Sequence, residues 1–397
     1  MSINRRKYLS IAGATAVAGL AGCTGGQSSE SGDGGGGSSD DGGSGGSGGG
    51  GDETATATPT TSQASGELEQ TEINYLGTYF PDAVFGALHA AEEKGFFEEV
   101  GLNVNIEYSL EVQNTLQILL AGKYDFVGHT PIATIIARSK GIPVRNVATY
   151  FSNPPTSFFS KKEDGIESVE DWPGHTLGLQ NENDRLWFTH EMYKEIGFSE
   201  SQIDDIDQVF TGYSINNLMT GKVDILSGYP TNSDFNSLRL AGEEFNVQSA
   251  ADYLDVPGNN LICPEKLAQE APNTVREFYR AYAKGMEYSW LTPENFQEMA
   301  EMTVEKLEAA DAGVFLGDVD PVEVEINNYE QLNKFTWNEN WADDGLGYSY
   351  PERWDNLQQI GLDIGDLSNE QDMSNVVNNE FVEAVTADDG SLIWPPE

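Results

Sequence analysis

The chain has 397 residues and carries 65 acidic against 21 basic side chains, a net charge of −44 at neutral pH. That sign excludes nucleic acid as a partner, because phosphate binding needs the opposite charge. In a chain with 38% apolar residues it is the composition of halophilic proteins, whose carboxylates hold hydration where salt screens their repulsion. At about 1 M salt the screening length falls to about 3 Å, so a ligand is recognised by contact and not by long-range steering.

Arg5, Arg6 and Lys7 precede the apolar run Tyr8 to Ala21, which ends in Leu20-Ala21-Gly22-Cys23. This predicts a twin-arginine export leader over residues 1–22 with a lipoprotein cleavage site, leaving Cys23 as a lipidated first residue. The run is about 15 residues, short of the roughly 20 that span a bilayer. Ser28 to Asp52 contains only Ser, Gly, Asp and Glu. Residues 23–67 are therefore predicted as a disordered tether, since they bury too little apolar surface to fold. Besides Cys23 only Cys263 remains, so no disulfide framework or thiolate metal site is available within one chain.

From residue 68 strand and helix alternate. Ile73 to Leu76 reads as a strand, followed by the loop Gly77-Thr78-Tyr79-Phe80-Pro81 and a cap at Asp82. Val84, Ala87, Leu88 and Ala91 have helical spacing up to Gly95, and Leu102 to Tyr108 alternates as a second strand. A helix ending at Gly122, a strand from Tyr124 to Gly128 and a helix opened by Thr130-Pro131 follow. The outline then repeats: strand Thr176 to Gln180, a helix capped by Asn183-Asp184 and ended at Gly197, a capping-box pair Ser199 and Gln202, strand Ile206 to Phe210, and a helix from about Ser214 to Thr220. Leu119-Leu-Ala-Gly-Lys-Tyr-Asp-Phe126 aligns with Leu218-Met-Thr-Gly-Lys-Val-Asp-Ile225 at an offset of 99 residues, which predicts two similar α/β units with largely parallel sheets.

After Gly258 the pattern changes. Asn259 to Cys263 reads as a crossing strand, and four helices follow over 265–271, 274–290, 293–310 and 321–337. The predicted organisation is a discontinuous domain I over 68–157 and 259–397, with domain II over 158–258 inserted between two crossings. Paired crossings form a hinge around a cleft, with ligand at the carboxyl ends of the strands. Trp172 and Trp187 read as packing, and Trp337, Trp341, Tyr348, Tyr350 and Trp354 as a cap on domain I.

Catalytic patterns are absent from this reading. His89, His129, His175 and His190 lack metal-ligand spacing, and no nucleophile elbow, phosphate loop or zinc-protease motif occurs. The loops after strands instead carry aromatic, amide and hydroxyl side chains: Tyr79, Phe80, Asp82, Thr130 and Phe151 in domain I, and Asn183, Asp184, Arg185, Tyr213, Tyr229, Thr231 and Asn232 in domain II. Aromatic walls stack on flat ligands, worth about 0.5–1.5 kcal/mol per pair. Arg185 at a helix start suits an anion instead, or an ion pair with one of the many acids.

Ala90-Ala-Glu-Glu-Lys-Gly-Phe-Phe-Glu-Glu-Val-Gly-Leu-Asn-Val104, Leu120-Ala-Gly-Lys-Tyr-Asp-Phe126, Lys140-Gly-Ile-Pro-Val144, Ile166-Glu-Ser-Val-Glu-Asp-Trp-Pro-Gly174 and Gly221-Lys-Val-Asp224 resemble the substrate-binding proteins of ABC importers, in the branch for nitrate, sulfonate, taurine and thiamine-pyrimidine precursors. With the acid excess, the resemblance implies a haloarchaeal lipoprotein of the two-domain, type II periplasmic-binding-protein fold. Tyr79-Phe-Pro-Asp82 looks most like the loop of the thiamine-precursor members, although those often carry His where this chain has Phe85. A related eukaryotic pyrimidine synthase shares the fold, and its Cys-rich motif is missing here. The resemblance implies a monomeric receptor without cofactor, metal or catalysis, held by lipid on the outer face of the cell membrane. It would deliver a small planar heterocycle to a membrane permease driven by a cytoplasmic ATPase. A sulfonate, taurine or nitrate-like anion is the alternative ligand, and a secreted enzyme the distant one.

Overall fold

A computed structural model describes residues 66–109, 115–180, 184–212, 214–312 and 315–396, with the backbone alone for 184–186 and 375. The expected leader, Cys23 and the tether up to residue 65 lie outside the described residues. Among those described, no helix is long and apolar enough to cross a membrane.

The elements that position the site are strands β1 (Glu72–Gly77), β2 (Asn103–Tyr108), β3 (Phe126–His129), β4 (Val144–Thr149), β5 (Ser157–Lys161), β6 (Thr176–Leu179), β7 (Asp207–Phe210), β8 (Ile225–Gly228), β9 (Phe245–Ser249) and β10 (Asn260–Pro264). With them stand helices α1 (Gly86–Glu93), α2 (Pro131–Ser139), α3 (His190–Ile196), α4 (Ser233–Leu240), α5 (Pro272–Trp290), α6 (Phe296–Ala309), α7 (Pro321–Thr336) and α8 (Pro351–Asp363). The strands form two five-stranded sheets of matching order, β2-β1-β3-β10-β4 and β7-β6-β8-β5-β9.

The 99-residue echo has a structural cause. In the first sheet Asp125 accepts a bond from the Asn74 amide at 2.8 Å while its own amide donates to the Asn74 carbonyl at 2.8 Å. In the second, Asp224 treats Thr176 the same way, at 2.8 and 2.9 Å. Each Asp thus registers a central strand against its parallel neighbour, β1 or β6. The glycine before it, Gly122 or Gly221, takes φ of +75° or +68°, a conformation open to Gly without a Cβ clash.

The sheets are mixed where the sequence predicts largely parallel pairing. β10 runs antiparallel to β3 and β4, and β5 antiparallel to β8 and β9. Both strands arrive by a crossing and so enter the sheet from the opposite end. β5 escapes sequence reading because Ser157, Phe158, Phe159 and Ser160 are all buried, which removes the period-two alternation of a half-exposed strand.

The first sheet packs against α1 and α5, with Phe126 stacked on Phe278 at 3.9 Å between ring centroids. The late aromatics divide. Trp341 joins this first core, whereas Trp354 joins Trp172, Trp187 and Leu177 of the second lobe, and Trp337 stays exposed. The reason is one face of α8, where Trp354, Leu357 and Ile360 present an apolar stripe to Trp187, whose Nε1 donates to Asp366 at 2.9 Å. Ile132 and Ile135 of α2 enter the same cluster, so α8 is wedged between the two lobes. A Cβ on Gly361 would lie 2.2 Å from the Trp187 ring. Gly361→Ala is expected to cost about 1–3 kcal/mol through displaced indole packing, measured as a lower melting temperature with a changed near-ultraviolet Trp signal.

Candidate functional site

The two lobes are joined by residues 151–156 and 256–259, and these crossings lie backbone against backbone. A Cβ on Gly258 would meet the carbonyl oxygens of Asn153 at 2.3 Å and Phe151 at 2.4 Å, so only glycine allows that approach. Arg353 of α8 ties both together. Its Nη1 donates to the Ser152 carbonyl at 2.7 Å, its Nη2 to the Val256 carbonyl at 2.6 Å and to Asn153 Oδ1 at 3.1 Å, and its Nε lies 2.8 Å from Asp255 Oδ1.

Between the strand ends lies a cavity of about 30 Å³ lined by Thr130, Pro131, Ile132, Pro154, Pro155, Thr156, Phe188, Tyr229, Pro257, Gly258 and Asn259. Thr130 and Tyr229 were expected from sequence. The Pro-Pro and Pro-Gly crossings and Phe188 were not, although Pro154-Pro155 and Pro257-Gly258 are visible turn signals beside the expected domain boundaries. The volume holds about one water, so a ring-sized ligand enters only if the lobes part. None of these lining residues is charged.

Thr130 caps α2, its hydroxyl accepting from the Ala133 amide at 3.4 Å, and its own amide donates to His129 Nδ1 at 2.8 Å. Burial pushes His129 down to about 4 and His89 to about 3, so both are neutral and offer no cation. Tyr79 and Phe80 are half-buried and meet edge to face at 5.0 Å. Asp82 is 4% exposed and caps the following turn through the Val84 amide at 3.1 Å. Burial first, then repulsion from Glu325 wherever that carboxyl is ionised, raises its carboxyl well above the ordinary range. Phe151 is 1% exposed and packs on Tyr150 and Trp290 in the first-lobe core.

In the second lobe Asn232 Oδ1 accepts from the Tyr229 amide at 2.8 Å and folds the loop after β8, with Thr231 buried beneath it. Asn183 and Tyr213 lie outside the described residues. Asp184 and Arg185 begin a π-helical turn, Asp184–Thr189, that runs into α3, where a regular helix was expected; their side chains also lie outside the description. Such turns recur at functional sites. Among the described residues, no group of three His, Cys, Asp or Glu is placed to hold a metal.

Two mixed sheets joined by paired crossings, with a cavity at the strand ends, define the two-lobed fold of periplasmic binding proteins. The nitrate-binding protein NrtA of Synechocystis PCC 6803 has this fold and superposes with a TM-score of 0.61 at 12% identity, covering 80% of this chain and 88% of that one. The chain belongs to the NMT1/THI5 like family, whose model matches residues 82–296. It is 27% identical over 335 residues to riboflavin-binding protein RibY of Chloroflexus aurantiacus, covering 83% of this chain and 91% of that protein. It is also 27% identical over 235 residues to a formylaminopyrimidine-binding protein of Halalkalibacterium halodurans, covering 58% and 69%.

Proposed function

We propose that this chain is the extracellular solute-binding receptor of an ABC importer, that it captures a small planar heterocycle, with a thiamine pyrimidine precursor as first choice, and that it does no chemistry on its ligand. The observation that carries this reading is the uncharged lining of the interlobe cavity, where Phe188, Tyr229 and the prolines flank the hydroxyl and amide groups of Thr130, Thr156 and Asn259. Stacking and short hydrogen bonds of this kind persist in molar salt, where the long-range attraction of a charged ligand is screened. The two relatives named for ring compounds support the same class of ligand. Residues 68–157 with 259–397 and residues 158–258 act in this reading as the jaws, and lipid on Cys23 holds a monomer near its permease and ATPase.

A melting screen in molar salt separates the ligands. Formylaminopyrimidine or riboflavin at 100 times its dissociation constant is expected to stabilise by about 2.7 kcal/mol, with Arg185→Ala leaving that affinity unchanged. Stabilisation by nitrate or taurine that disappears in Arg185→Ala would establish the anion reading instead. Turnover of the ligand on prolonged incubation would establish an enzyme.

A further inference from the structure

α7 packs on α5 and α6 through Tyr329 and Leu332 in the first-lobe core. Its other face touches α4, a helix whose Phe235 lies in a second-lobe core with Phe159 and Leu226 of that sheet. The contact is polar and buried: Ser233, Asn236, Glu325 and Asn328 are each 5% exposed or less. Their hydrogen bonds run in one direction. Arg239 Nη1 donates to Asn236 Oδ1 at 3.1 Å, Asn236 Nδ2 to Asn328 Oδ1 at 2.6 Å, Asn328 Nδ2 to Ser233 Oγ at 3.0 Å, and Ser233 Oγ to Glu325 Oε1 at 2.7 Å. Bonds aligned in this way polarise and strengthen one another.

The chain of bonds also reaches both loops that hold candidate ligand residues. Asn236 Nδ2 donates to the Pro230 carbonyl at 2.7 Å, fixing the Tyr229–Asn232 loop of the second lobe. Glu325 acts electrostatically on Asp82, which ends the loop 79–82 of the first, and takes a hydrogen bond from the backbone of Ala83 next to it. None of the bonds between α4 and α7 survives if the lobes separate along that contact.

We propose that Glu325 and Asn328 are positioning residues of an interlobe latch, which holds the Tyr229–Asn232 loop against the first lobe when the jaws are shut and is broken when they open. Glu325 enters the latch as a neutral acid. Burial pushes its carboxyl to about 7, against the hydrogen bonds from Ser233, Asn328 and the Ala83 backbone, and a site this deeply buried disfavours a charge. The titratable and charged groups around it are Asp82 from the facing loop, Tyr329 on α7, Tyr108 of β2 beyond Asp82, Arg239 at the far end of the bond chain, and Asp234 of α4, whose Oδ1 accepts from the Phe235 amide. In the open form Glu325 returns toward about 4.3. The latch is therefore fully favoured below about pH 4.3 and weakens as pH rises through about 7.

The inference rests on the chain being a receptor that opens and closes, and its test is read without ligand, so the two fail separately. Spin labels at Glu99→Cys and Glu243→Cys, exposed on opposite lobes, in the full chain carrying Cys23→Ser, report the interlobe distance in molar salt. Between pH 5 and pH 8 the ratio of open to closed is expected to rise roughly tenfold or more. Glu325→Gln, which keeps shape and neutrality, is expected to hold the closed population at both values. Ser233→Ala removes one small hydroxyl and is expected to shift the population toward open at pH 5 with unchanged circular dichroism. A pH response that persists in Glu325→Gln, no response in the parent, or a parent-like distance distribution in Ser233→Ala would overturn the latch.

Discussion

Replacing Arg353 by alanine is expected to lower stability by about 3–5 kcal/mol, because it strips hydrogen bonds from both crossings at once. The Ser152 and Val256 carbonyls accept from this guanidinium at 2.7 and 2.6 Å, and Arg353 is 8% exposed. A buried acceptor left without its donor costs about 1–3 kcal/mol, and the loss is roughly doubled here because two chain segments depend on one fork. Asp255 contributes little, being 74% exposed in its side chain. Arg353→Lys is expected to recover less than half, since an ammonium cannot span both carbonyls in the planar geometry of a guanidinium. Thermal melting in molar salt checks this: a fall of roughly 4–7 °C is expected for alanine, and a melt within about 1 °C of the parent would show that the crossings hold without the pin.

Gly285→Ala is expected to destabilise by about 3 kcal/mol, opposite in sign to its helix propensity. Alanine in the middle of α5 favours the helix by about 1 kcal/mol over glycine. A Cβ there would stand 2.0 Å from the Ala87 carbonyl oxygen and 2.9 Å from its carbon. Both obstacles are backbone of α1, so no rotamer change relieves them. The same helix pair carries Gly86, where a Cβ would meet Trp290 Nε1 at 2.8 Å and Tyr329 at 2.8 Å. A rise in melting temperature on Gly285→Ala would show that α1 and α5 slide apart easily, against the close approach described here.

What the sequence revealed follows from how local each signal is. The starts of β1, β3, β6 and β7 and the caps at Thr130 and Ser199 depend on neighbouring residues and were legible. The repeated Gly-Lys-x-Asp was legible as a repeat, whereas the strand-registering role of Asp125 and Asp224 appears only once β1 and β6 lie beside them. β5 was hidden because a strand flanked on both sides and covered on both faces has no polar alternation to display, and β9 because this edge strand exposes Val247 and buries Gln248, the reverse of the expected pattern. The site divides similarly. Thr130 and Tyr229 follow strands and can be nominated from sequence, but Phe188, Asn259 and the prolines of the crossings reach the cavity by lobe packing. Glu325, 243 residues after Asp82, looked like one acid among 65 until burial singled it out.

The two strands that continue the crossings, β5 and β10, are each flanked on both sides, by β8 and β9 and by β3 and β4. Any torque between the halves is thereby delivered to an inner rung of each ladder, where fraying from an edge gives no relief. Flexure must concentrate in the few residues between those rungs. The hydrogen-bonded amides of Phe151, Asn153 and Gly258 would then lose protection with each opening while the inner strands keep theirs, a stiff pair of plates turning on two short straps.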